Sequence, residues 1–124
     1  MTQQTFRRIA LGMTDAVEGA HMGHPDFRVK GRIFATLQPA YNRGMVKLTP
    51  EQQRRFLHEA PEVFSPESGA WGRQGCTRVH LEAADEDTLG EAMTLAWQNT
   101  VASRPSPKSK SPVRSVRKRS SKRE

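Results

Sequence analysis

The chain has 124 residues, the length of one domain, and carries a net charge of +7 with a pI near 10.3. Its only cysteine, Cys76, excludes an intramolecular disulfide and with it a secreted disulfide scaffold. The N-terminus, MTQQTFRRIAL, lacks the apolar core of a signal peptide and nowhere do 18 apolar residues run together, so we expect a cytoplasmic protein.

The first predicted element is a helix over residues 2–11. Apolar residues recur there at helical spacing, and Gly12 follows as a stop signal: Phe6, Ile9, Ala10 and Met13. The pattern then changes to an alternation of period two at 17–21 and again at 26–30, which predicts strands.

A hairpin is predicted at RVKGRIF, where Lys30-Gly31 forms the two-residue turn because glycine adopts a positive φ without steric cost. In that register Val29 faces Arg32 and Phe27 faces Phe34, an aromatic pair that would fix the alignment of the strands. Another strand is predicted at 44–48, after the turn formers of PAYNRG.

The second half of the chain predicts two further helices and two strands. Thr49-Pro50-Glu51-Gln52 has the pattern of a capping box and starts a helix that Pro61 ends at or before Ala60. Residues 63–66 form a short extended segment, SGAWGRQG a glycine-rich loop, and 76–81 an alternating strand. Acidic residues at 85–87 mark the start of the last helix, whose apolar stripe is Leu89, Ala92, Met93, Ala96 and Trp97.

The C-terminal segment 103–124 differs in composition from the rest. It holds nine basic residues against one acid, a net charge of +8, whereas residues 1–102 hold 11 basic and 12 acidic residues, a net charge of −1. The segment has no aromatic residue and only two valines, so it is predicted to be a disordered basic tail. We therefore place a globular domain at 1–102.

The ordered set GAHMGHPDFRV, RIFATL, VKLTPEQQ, VFSPESGAWGRQG and a final helix containing AWQN resembles the MmcQ/YjbR family over roughly residues 5–100. The resemblance implies a two-layer α/β (α+β) domain of the CyaY-like type. Its order would be α-β-β-β-α-β-β-α, with three helices and an antiparallel sheet of about five strands. It also implies DNA binding through a double wing, an inference that itself rests on fold.

Metal binding and catalysis are weakly indicated. His21 and His24 would need further ligands, and the other candidates are scattered; in a regular strand the two would point to opposite faces. Cys76 lies in an alternating strand, which favours a small buried filler over a nucleophile. We expect no metal, no cofactor and no enzymatic activity, although His24, Asp26 and Arg73 could converge in the fold.

The candidate nucleic-acid contacts fall into three groups. Trp71 and Arg73 in GAWGRQG could stack a base or grip a phosphate, although a large aromatic residue there more often anchors its loop to the core. The hairpin supplies Arg28, Lys30 and Arg32, with Arg43 in the next turn, and these could equally be a solvated strand end. The tail supplies Lys108, Lys110, Arg114, Arg117, Lys118, Arg119, Lys122 and Arg123.

These residues predict a non-catalytic domain that binds DNA weakly and without sequence preference, through the basic tail first and the hairpin second. A tail that only aids solubility is the simpler alternative for that segment. Membrane attachment is disfavoured because the tail has no apolar face. The alternative function is a protein-interaction module that docks a partner on the open sheet face or on an edge strand.

Overall fold

The computed structural model describes residues 1–103. They form four α-helices, a one-turn 3-10 helix at Pro39–Tyr41 and six strands. In chain order the elements are α1 (Gln3–Leu11), β1 (Val17–His21), β2 (His24–Val29), β3 (Arg32–Gln38), β4 (Arg43–Lys47), α2 (Pro50–Glu59), β5 (Phe64–Pro66), α3 (Gly69–Arg73), β6 (Cys76–His80) and α4 (Glu86–Ala102).

Local sequence signals account for most of the element ends. Thr2, Thr49 and Asp85 cap the N-termini of α1, α2 and α4 with their side chains, and Gln52 completes the capping box of α2. The predicted α2 and the predicted acidic start of α4 are confirmed. No helix among the described residues is long and apolar enough to cross a membrane.

The six strands form one antiparallel sheet in the order β1-β2-β3-β4-β6-β5. Helices α1 and α4 pack on one face of this sheet, and α2 packs beside β5 and β6. The core between the layers includes the ring pairs Phe6–Phe27 and Phe56–Phe64. The two-layer α/β fold is therefore confirmed, but with six strands rather than five and four helices rather than three.

Two local features account for the additional elements. Met22 and Gly23 both have positive φ and form a tight turn, so the alternating stretches predicted at 17–21 and 26–30 are two separate strands that pair with each other in a hairpin. The segment predicted as a glycine-rich loop contains α3, which begins after Ser68 and ends at Gln74. A helix this short, in a segment rich in glycine, has no helical period to detect in the sequence.

The predicted β2–β3 hairpin is confirmed at its turn but not along its length. Lys30 and Gly31 occupy the turn with positive φ, and Val29 pairs with Arg32 as predicted. A bulge then follows, so Phe27 pairs with Ala35 and not with Phe34. Both Phe34 and Ala35 are buried in the core, because a bulge lets two successive residues of one strand oppose a single residue of the next.

Gly44 allows the closest contact between the two layers. A Cβ at this position of β4 would lie 2.4 Å from Cε2 of Phe6, in the α1 helix. We expect Gly44→Ala to lower the free energy of unfolding by about 1–3 kcal/mol through overpacking, measured by urea denaturation. Gly90→Ala is the matched control, because a Cβ there meets open space within α4 and should raise stability by about 0.5–1 kcal/mol. Equal effects of the two substitutions would contradict this packing.

Candidate nucleic-acid interface

The face of the sheet opposite α1 and α4, here called the open face, is predominantly polar. The register aligns one row of side chains across all six strands of this face: Gly19, Asp26, Thr36, Met45, Arg78 and Ser65. A neighbouring row begins with His21 paired to His24, followed by Gln38, Arg43 and His80. Side chains that could contact a ligand are therefore concentrated on this face, because the other face is occupied by helices.

Asp26 is the most tightly held charge on the open face, with no solvent exposure. Its carboxylate accepts hydrogen bonds from Nε and Nη2 of Arg28, at 2.7 and 3.0 Å, and from Nδ1 of His21 at 2.8 Å. The hydrogen bonds from Arg28, together with that from His21, outweigh burial and lower the pKa of Asp26. Gly19 leaves room for this cluster, since a Cβ there would lie 3.0 Å from Oδ1 of Asp26.

Of the two histidines, only His21 takes part in this cluster. His21 and His24 flank the Met22-Gly23 turn and pair directly across it, so they lie on the same face with ring centroids 6.4 Å apart. Nδ1 of His24 is buried and has no hydrogen-bond partner within residues 1–103. In that part of the chain no three His, Cys, Asp or Glu side chains are grouped to hold a metal ion. The expectation of no metal stays a prediction.

The contacts on the open face also concern the residues that the sequence suggested for catalysis, which include Asp26 and Cys76. Asp26 is engaged by His21 and Arg28 rather than by His24 and Arg73. Oγ of Ser65 lies 2.8 Å from Nε2 of His80, a contact between β5 and β6 that the sequence did not indicate. Cys76 is buried, and burial raises the pKa of its thiol, which disfavours the nucleophilic thiolate. Absence of enzymatic activity stays a prediction.

The predicted basic hairpin residues differ in their surroundings. Arg28 is paired with Asp26, whereas Lys30 is exposed at the turn between β2 and β3. Arg32 donates from Nη1 to Oγ of Ser103 at 2.8 Å. Since Ser103 is the last described residue, this bond fixes the point from which the basic segment continues, directly beside the hairpin. The eight tail residues predicted to contact nucleic acid, Lys108 to Arg123, and the predicted disorder of the tail lie outside the described residues.

Arg43 does not join the hairpin group. It pairs with Gln38 at the far end of β3 from Arg32, a separation of roughly 20 Å at the usual rise per residue. Its side chain donates to Oε1 of Gln38 and lies over the ring of Tyr41, with Cζ 4.6 Å from the centroid. Arg43 therefore belongs to a different part of the surface.

The expectation that Trp71 anchors its loop in the core is wrong, because the residue is 60% exposed. It lies in α3 and lines two cavities of about 570 and 440 Å³. The smaller cavity lies on the open face, whereas the larger one extends past the end of the sheet to the C-terminal end of α4, where Asn99 and Thr100 line it. Both cavities are also lined by Ile33, Lys47 and Cys76, and we call the combined depression the trough. Arg73, the neighbouring candidate, is exposed on the same short helix.

The first cavity extends the trough to the β2–β3 hairpin. It is lined by Trp71 and Lys47 and also by Arg28, Arg32 and Ser103. Sequence reasoning missed Lys47 and the position of Ser103. The alternation of β4 could have indicated Lys47, since Val46 beside it is buried. Nothing local could have placed Ser103 next to Arg32, a contact across 71 positions.

The fold and its polar open face define a class: a small two-layer α/β domain whose antiparallel sheet is covered by helices on one side only. The family model YjbR matches residues 11–99, and the chain belongs to the YjbR family. The crystal structure of protein DR2400 of Deinococcus radiodurans, described as a DUF419 domain, is similar with a TM-score of 0.70. It is 17% identical and the match covers 82% of this chain and 79% of that one, which supports the fold alone. No curated protein matches the chain.

Asp26 provides a test of the open-face cluster. Asp26→Asn would put an amide group where the carboxylate accepts donors from two sides, so we expect a loss of about 2 kcal/mol in unfolding free energy at neutral pH. The native pKa of Asp26 is lowered, so its stabilisation is present above the unfolded-state pKa and is lost as pH falls through the native pKa. The difference between wild type and variant, measured by urea denaturation, should shrink at strongly acidic pH. A constant difference would contradict the ion pair.

Proposed function

We propose that this protein binds nucleic acid through a basic surface made of the β2–β3 hairpin turn and the C-terminal segment that follows Ser103. The observation that carries the proposal is the hydrogen bond from Arg32 to Ser103. It brings Ser103, the residue after which the basic segment follows in the sequence, next to the hairpin, so that one polyanion could contact Lys30, Arg32 and the tail together.

Charge pairing on the helices and on the sheet limits the attraction of those surfaces for a polyanion. Arginines on the helices and on the sheet pair with acids in Arg7–Glu18, Arg8–Glu86, Arg28–Asp26, Arg55–Glu91 and Arg78–Glu67. Residues 1–102 have a net charge of −1, so these surfaces exert little long-range attraction on a polyanion. The tail, with a net charge of +8, supplies the long-range attraction and the hairpin would supply a fixed contact.

Basic side chains of the hairpin turn and the tail would contact phosphates and not base edges. Binding to duplex DNA should therefore depend steeply on salt and weakly on sequence. The double wing attributed to the family would correspond here to the β2–β3 hairpin. Arg28 is a weaker candidate for a phosphate contact than Lys30, because its guanidinium already holds the buried carboxylate of Asp26.

The test measures the anisotropy of a labelled short duplex over a range of salt concentrations. Replacing the nine basic residues of 104–123 by serine or glutamine in the full-length chain should remove most of the affinity. Lys30→Ala with Arg32→Ala should weaken binding to any sequence and reduce the salt slope by about two, because each basic side chain that binds a phosphate accounts for about one unit of that slope.

The matched control is Arg8→Ala with Arg54→Ala, which removes the same number of charges from exposed positions on α1 and α2. We expect this pair to change the affinity only slightly. If the hairpin pair and the control pair have the same effect, the hairpin does not touch the duplex and only net charge matters.

A protein-interaction module is the second candidate, and the β1 edge favours it. Among the described residues β1 pairs only with β2, and Val17 at its start and Met22 just after its end are 57% and 91% exposed. Such an edge could accept a further strand from a partner. Absence of duplex binding by the full-length chain at low salt would favour this candidate over the first.

A further inference from the structure

Trp71 combines a large exposed aromatic surface with a fixed position. A Cβ at Gly72 would lie 1.8 Å from the carbonyl oxygen of Glu67, so α3 packs directly on that backbone. Gly75 has φ of +112° and packs equally closely on the carbonyl of Leu48. Gly72 and Gly75 therefore have a structural role: they let α3 and the residues after it approach their neighbours closely.

A buried side chain also holds α3 in place. Nε2 of Gln53, in α2, donates to the carbonyl oxygens of Gly72 and Cys76, at 3.1 and 3.0 Å. Gln53 thus ties α2 both to α3 and to the start of β6. Trp71 lies on an anchored support, which reduces the entropy that a ligand would lose by ordering it.

The trough under Trp71 has the chemistry of a site for a flat base beside a phosphate. Ile33 and the indole supply apolar surface, while Lys47 and Arg32 supply positive charge. Within residues 1–103, Lys47 takes part in no ion pair, and the acid that lines the trough, Glu67, is paired with Arg78. Each cavity lies in the size range of small-ligand sites.

We propose that the trough binds single-stranded nucleic acid, with one base stacked on the indole of Trp71 and a neighbouring phosphate held by Lys47. This inference rests on the proposed function, because it makes the trough an extension of the same basic surface. A base in a duplex is already stacked on both sides, so stacking on the indole selects a strand whose bases are free.

Charge favours a nucleic-acid strand in the trough over two other occupants, the C-terminal segment of this chain and an apolar peptide. The C-terminal segment of this chain begins at the margin of the trough, but its net charge of +8 would meet Lys47 and Arg32 with repulsion. An apolar peptide would bring no negative charge to these cations. A nucleic-acid strand matches both the positive lining and the exposed ring.

The experiment uses the full-length chain carrying Trp97→Phe, in which Trp71 is the only tryptophan. Titration with a short oligo-dT should quench Trp71 fluorescence in a saturable way. In the wild-type background, Trp71→Ala should weaken oligo-dT binding about tenfold and Trp71→Phe should restore most of it, because one stacked base contributes that order of affinity. Binding to a duplex of the same length should change less than about twofold.

Tyr41→Ala is the matched control, because Tyr41 is an aromatic residue that is 67% exposed and lies outside the trough. It should leave oligo-dT binding unchanged. Thermal melts of the Trp71 variants should match wild type, since the substituted ring is mainly exposed.

The two proposals fail in different ways. If Trp71→Ala binds oligo-dT as wild type does, the stacking site is wrong even where the tail and hairpin variants lose duplex binding. If the tail and hairpin variants keep duplex binding while Trp71→Ala loses oligo-dT binding, the stacking site in the trough is supported and the basic duplex-binding surface is wrong.

Discussion

The carboxylate of Asp26 is the charge around which the open face of the sheet is arranged. A buried carboxylate without donors would be strongly destabilising, and here Arg28 and His21 supply three hydrogen bonds to it. These hydrogen bonds hold β1 against β2 and fix the guanidinium of Arg28 on the sheet, and they favour a glycine at position 19, where a Cβ would crowd the carboxylate. The carboxylate of Asp26 also neutralises Arg28, which the sequence predicts as a phosphate contact. The basic surface of the hairpin is therefore centred on its turn.

The sequence predicted those parts of the fold that depend on short-range signals. The capping box of α2, the acidic start of α4 and the Lys30-Gly31 turn each require only a few neighbouring residues. The bulge beside Phe34 depends instead on how much core volume α4 and α1 leave over β3, which no local pattern encodes. The Met22-Gly23 turn was missed because methionine rarely adopts a positive φ and is not a recognised turn former.

The candidate site was only partly predictable, because it too depends on contacts between residues distant in the sequence. Lys30 and Arg32 follow from their place at a hairpin turn, and the structure adds that Arg32 contacts the residue from which the basic segment begins. Trp71 was a candidate in the sequence, but its exposure was not predictable, because it goes with backbone contacts at Gly72 and Gly75 that no local pattern shows. Lys47 lies in the trough beside Cys76 because β4 pairs with β6, a strand distant from it in the sequence.

We expect nucleic acid to contact the folded domain at the hairpin turn, beyond any attraction to the tail. Backbone amide NMR spectra of the isotope-labelled full-length chain, recorded with and without a short duplex at low salt, test it most directly. The account predicts shifts concentrated at Lys30, Gly31, Arg32 and Ser103, with little change in α1. Shifts confined to the segment after Ser103, with an unchanged hairpin, would contradict it.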